Sequence, residues 1–86
     1  MADYSVVITR SAGREMERLP GNISRRVLSA IESLAEEPRP RGSRKLVGSD
    51  DSYRLRVGSY RILYQISDSR RDVTVYAVGH RSDVYR

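Results

Sequence analysis

Cysteine is absent from these 86 residues, histidine occurs once and lysine once. Without cysteine there is neither a disulfide framework nor a thiolate metal site, and a single imidazole builds no zinc centre. No metal or cofactor is therefore expected, and the composition suits a reducing cytoplasm. No apolar run approaches the roughly 18 residues needed to span a bilayer, and the chain does not open on a basic segment followed by roughly 7 to 15 apolar residues. The sequence thus reads as soluble and cytoplasmic, with no membrane partner. At this length one domain over residues 1–86 is expected, burying roughly 60 to 65 per cent of its unfolded surface and leaving little room for a deep active-site cavity.

Cationic charge, by contrast, is plentiful and unevenly placed. The net charge is +5, yet residues 1–40 carry six Arg against six acids, while residues 41–86 carry nine Arg and Lys45 against five Asp. Fifteen of the sixteen cations are Arg, whose planar fork of donors matches phosphate oxygens. Codon bias in a GC-rich genome accounts equally well for the preference of Arg over Lys. It does not account for the asymmetry between halves.

Tyr4, Val6 and Ile8 alternate with Ser5, Val7 and Thr9, the pattern of a short strand. Ser11 can cap a following helix bearing Ala12, Met16 and Leu19, which Pro20-Gly21 ends. Gly21 or Asn22 can then cap a longer helix whose stripe is Ile23, Val27, Ala30, Ile31 and Leu34 and which stops at Pro38. The stretch 38–43 is a linker too short to separate domains, and residues 44–48 read as a strand start. Two further strands meet at Gly58-Ser59, and a last one covers Val73 to Val78. The order β-α-α-β-β-β implies an α+β fold, an antiparallel sheet with a helical hairpin on one face.

The hairpin carries the clearest functional signal. A two-residue turn sets Val57 opposite Tyr60, Arg56 opposite Arg61, Leu55 opposite Ile62 and Arg54 opposite Leu63. Directly opposed like charges weaken a sheet, so the Arg56–Arg61 pair makes sense where a polyanion lies over it. Tyr53, Leu55, Val57, Tyr60, Ile62, Tyr64 and Ile66 share the other side, so the tyrosines read as core or rim aromatics. Parity places Arg54, Arg56 and Arg61 together on the face left to solvent.

Lys45-Leu46, the run from Tyr53 to Tyr64, Val78-Gly79-His80-Arg81 and Asp83-Val84-Tyr85 together resemble the RelE/ParE superfamily of toxins, on its RelE side. The resemblance covers nearly the whole chain. It implies the toxin of a type II toxin–antitoxin module, acting in the ribosomal A site to cleave mRNA. It also implies a RelB-like antitoxin that blocks the toxin and carries the pair to operator DNA. Position by position, Arg54 and Arg56 fall where relatives have two strand cations, typically Lys. Arg61 matches a third-strand Arg, Arg81 an Arg after the last strand, and Tyr85 a Tyr that stacks on the nucleotide and assists proton transfer. Arg44 and Lys45 are candidate RNA contacts. The chain departs from the pattern in its Arg-for-Lys replacements and in the short segment between Arg81 and Tyr85.

Metal-free cleavage uses the 2′-OH against the adjacent phosphate and needs charge stabilisation, a base and an acid. Arg54, Arg56, Arg61 and Arg81 suit the first task. They are poor at the others, since guanidinium stays protonated to above about pH 12. His80, whose side-chain type titrates near neutrality, and Tyr85, lowered from about 10 by neighbouring cations, are the candidates for proton transfer. Two other readings compete: a ParE-like toxin that poisons gyrase by binding, without nuclease chemistry, and a non-catalytic RNA-binding homologue. An antitoxin is expected on physical grounds as well, because a basic open face and free strand edges are liabilities until covered.

Overall fold

The computed structural model describes residues 3–80. Seven elements follow one another: β1 (Ser5–Ile8), α1 (Arg10–Glu17), α2 (Gly21–Ser33), β2 (Ser43–Lys45), β3 (Ser52–Val57), β4 (Tyr60–Ser67) and β5 (Asp72–His80). The strands form one sheet in the order β1-β5-β4-β3-β2. The architecture is the expected α+β sandwich, with two additions. The residues after the linker form a true edge strand, β2, paired antiparallel with β3. The first strand pairs parallel with the last, so the sheet is mixed rather than wholly antiparallel.

Local signals explain most of the boundaries. Thr9, not Ser11, caps α1, its Oγ1 accepting the Ala12 amide at 3.2 Å. The helix starts two residues earlier than a Ser11 cap required, so the hydroxyl at Thr9 is the one facing the free amides. Pro20, rather than Gly21 or Asn22, is the N-cap of α2: it makes no side-chain cap bond, and its carbonyl accepts the Ser24 amide at 2.8 Å. It ends at Ser33 rather than at Pro38, in a turn where the Glu36 and Glu37 amides both reach the Ser33 carbonyl. The Ala35 carbonyl there accepts the Asp3 and Tyr4 amides, tying the start of the chain to the end of α2.

One sheet face meets the helices. Val27, Ile31 and Leu34 of the α2 stripe and Ala12 of α1 pack with Leu55, Val57, Ile62, Tyr64, Ile66, Val73, Val75 and Val78. Core residues alternate along β3 and β4, with Leu55 and Val57 on the first and Ile62, Tyr64 and Ile66 on the second. It breaks on β5, because Leu63 pairs with Ala77 while the next residue, Tyr64, pairs with Val75. Tyr76 is therefore an extra residue, a bulge that lets Val75 and Val78 both reach the core across a gap of three.

The linker is strapped down at the far end from the hairpin turn. The Tyr64 hydroxyl donates to the Pro38 carbonyl at 2.8 Å. Arg39 forks onto both Asp68 oxygens at 3.3 and 2.8 Å and its Nε donates to the Tyr53 hydroxyl at 3.0 Å. Tyr4 donates to the same carboxylate at 2.6 Å. These contacts fix the path by which the chain enters β2. Among the described residues no helix is long and apolar enough to cross a membrane.

Candidate nucleic-acid interface

The Gly58-Ser59 turn, with Gly58 at φ +60°, delivers the expected register: Arg56 opposite Arg61, Leu55 opposite Ile62, Arg54 opposite Leu63. Extending the rows across the sheet defines the site. Arg44, Arg54, Leu63 and Ala77 form one row, and Arg56, Arg61 and Gly79 form another. Both rows point away from the helices, since the Leu55–Ile62–Val78 row between them points into the core. Two cross-strand Arg–Arg pairs thus lie on one face, roughly 7 Å apart along the strands. The Arg44–Arg54 pair was not visible in the sequence, because β2 is three residues long and its partner could not be assigned without its register.

Arg44 and Arg56 are exposed and Arg54 is half-buried. Arg61 departs from the sequence expectation of a solvated side chain: it retains only 7% of its accessible surface. Its strand, β4, is central in the sheet, with neighbours on both flanks, whereas Arg44 lies on an edge strand. The Arg61 Nε is buried without a hydrogen-bond partner. Leu63 is also buried on this face and stands apart from the core cluster on the other.

Among the described residues, acids do not neutralise the rows. Among the described residues the ion pairs join Arg39 to Asp68, Arg70 to Asp72 and Arg71 to Asp3. Those cations all belong to the linker or the β4–β5 turn. There Arg39, then Tyr4, hold the Asp68 carboxyl below its ordinary range, and the bond to Asp68 raises Tyr4. Beside the rows, Arg44, Lys45, Leu46, Val47 and Arg54 line a recess of about 550 Å³ at the β2 edge. Lys45 itself pairs with Tyr53, so it leaves the edge strand on the opposite side from Arg44.

His80 pairs with Tyr60, in the row that includes Val57 on the helix side of the sheet. Its ring meets the Tyr60 ring edge-on, with centroids 5.6 Å apart. The structure therefore brings Arg44, Arg54, Arg56 and Arg61 together and sets His80 on the other face at the end of β5. Arg81 and Tyr85 lie outside the described residues. Among the described residues no cluster of three or more His, Asp or Glu side chains could hold a metal ion. What the site offers is a set of unneutralised guanidinium donors, one of them desolvated, on a rigid hairpin.

Comparison with known proteins agrees with this frame. The family model for the ParE toxin of type II toxin–antitoxin systems matches residues 6–85. Toxin RelG of Mycobacterium tuberculosis is 37% identical over 87 residues, covering 96% of this chain and 97% of the relative. The toxin–antitoxin complex RelBE2 from the same organism superposes with a TM-score of 0.80 at 32% identity, over 92% of this chain and 99% of the matched one. The archaeal RelE–RelB complex from Pyrococcus horikoshii gives 0.83 at 29% identity, over 95% and 99%. The chain belongs to the RelE/ParE family of type II toxin–antitoxin toxins, and these relatives place it on the RelE side.

Proposed function

We propose that this toxin is a ribosome-dependent endoribonuclease that cleaves mRNA in the A site, and that the two arginine rows hold the phosphate backbone there. The observation that carries the reading is the buried, unpartnered Nε of Arg61 between Arg56 and Gly79. A desolvated donor without an acceptor is costly, and a phosphate oxygen would satisfy it. Opposed Arg pairs likewise destabilise the free sheet and are relieved by an anion.

In the proposed reaction the 2′-oxygen attacks the adjacent phosphorus and the bond to the 5′-oxygen breaks, leaving a 2′,3′-cyclic phosphate and a 5′-hydroxyl. Arg54, Arg56, Arg61 and Arg81 stabilise the charge that builds on the phosphoryl oxygens. One group takes the 2′-OH proton and one supplies a proton to the leaving oxygen. His80 and Tyr85 are the two candidates, and the position of His80 on the Tyr60 side of the sheet favours Tyr85 at the phosphate. The weak acid–base set is consistent with ribosome dependence, since a decoding site that holds the RNA in line supplies orientation worth several powers of ten.

The partner is a RelB-like antitoxin, as in the solved complexes of the relatives, and the pair would meet operator DNA through that antitoxin. Arg44 and Lys45 would contact RNA from the β2 edge. The toxin would act in the cytoplasm, where ribosomes and mRNA are.

Primer extension on a defined mRNA, with and without ribosomes programmed with an empty A site, tests the reading. Cuts inside the A-site codon are expected only with ribosomes, and they should disappear in Arg81→Ala and fall sharply in Tyr85→Phe. The family match to ParE favours gyrase as the alternative target. Trapped gyrase–DNA complexes with no RNA cut under any condition would establish that reading instead.

A further inference from the structure

β1 covers only part of the last strand. It pairs with β5 from Asp72 to Val75, and the Thr9 amide makes the final bond, to the Val75 carbonyl at 2.9 Å. There the chain turns away into α1, while β5 runs on to His80 with β4 on one side alone. On the uncovered edge the Val78 amide donates to Glu15 Oε1 at 2.9 Å. Glu15 sits three residues after the fully buried Ala12, on the flank of α1 that packs against the sheet, where an amphipathic helix would ordinarily place an apolar side chain. None of the ion pairs among the described residues involves it.

We propose that Glu15 is a positioning residue that stands in for the missing strand and fixes the phase of the C-terminal end of β5. The bond falls immediately after the bulge at Tyr76, where the ladder is weakest and a one-residue slip is easiest. A slip there exchanges the faces of everything beyond it. Held at Val78, the strand keeps Gly79 in the row of Arg56 and Arg61. A carboxylate accepts more strongly than a neutral carbonyl and so suits a single contact doing the work of a strand. The functional half of this proposal rests on the nuclease reading above; the structural half does not.

Amide hydrogen exchange followed by NMR on the purified toxin, together with A-site cleavage, tests it in Glu15→Ala and Glu15→Gln. In Glu15→Ala the Val78 amide should exchange about tenfold faster while Val73, covered by β1, is unchanged. Cleavage should lose kcat by a similar factor with ribosome affinity retained. Glu15→Gln keeps a side-chain carbonyl and should restore most of both. Unchanged Val78 exchange, equal acceleration across the sheet, or a Gln variant as impaired as Ala would overturn the proposal. So would altered exchange with normal cleavage. Wild-type toxin that cuts no RNA, while Val78 responds as described, would sink the nuclease reading and leave the strand clamp standing.

Discussion

Arg61 shows how far a single residue can be set against the stability of its own fold. Burying a guanidinium with an unpartnered Nε opposite another Arg is unfavourable in the free protein, and an apolar side chain of similar volume often does as well or better in such a place. Arg61→Met should therefore raise the melting temperature, by roughly 4–8 °C for each kcal/mol gained in a domain of this size. Thermal unfolding by circular dichroism checks it; a clear fall would mean that Arg61 has a stabilising partner in the free toxin. Tyr64 makes the opposite case, a polar group fully accommodated. Burial raises its hydroxyl from the ordinary 10 to about 12 while the hydroxyl donates to Pro38. Because the folded state favours the protonated form, this contribution, on the order of 2–3 kcal/mol, is intact below pH 10 and is lost as the pH climbs from 10 to 12. Denaturant midpoints across that window should fall in the wild type and fall less in Tyr64→Phe.

Among the elements, the β3–β4 hairpin is the one whose geometry the sequence spells out. A two-residue turn containing Gly and an unbroken alternation leave a single register, and that register is the one observed. Its opposed Arg56 and Arg61 make a direct test: Arg56→Glu turns a like-charge pair into an ion pair and should stabilise the sheet by roughly 0.2–1 kcal/mol. The same change should weaken binding to single-stranded RNA, and melting curves with filter binding read the two effects separately. Other elements were legible only in part. The parallel docking of β1 on β5 joins the two ends of the chain, and no local pattern encodes such a pairing. The bulge at Tyr76 breaks the alternation that a strand reading depends on, and β5 runs to His80, past the Val78 at which that reading ends it. β2 is too short to show a period, which hid the Arg44–Arg54 pair, and parity placed Arg61 on the face away from the helices but carries no information on its burial.

Across the whole molecule, cationic charge is gathered at one end of the sheet face that points away from the helices. The hairpin end bears Arg44, Arg54, Arg56 and Arg61, while the opposite end has a polar recess of about 260 Å³ whose lining includes Asp51 and Asp72, the latter paired with Arg70. A polyanion approaching this face is drawn to the hairpin end, which orients it before contact. The helices take no part in that face; they supply the core that keeps the sheet rigid, and the Arg39–Asp68 strap fixes the way into β2. The central claim of the proposed reading is that the hairpin face, with its arginine rows, is where RNA is held for cleavage. The most direct test is A-site cleavage by purified Arg61→Met beside the wild type on the same programmed ribosomes. Loss of cleavage by at least about a hundredfold in a folded protein, on the scale of removing one preorganised donor, is the expected result. Cleavage at the wild-type rate by that variant would contradict the account and move the site off this face.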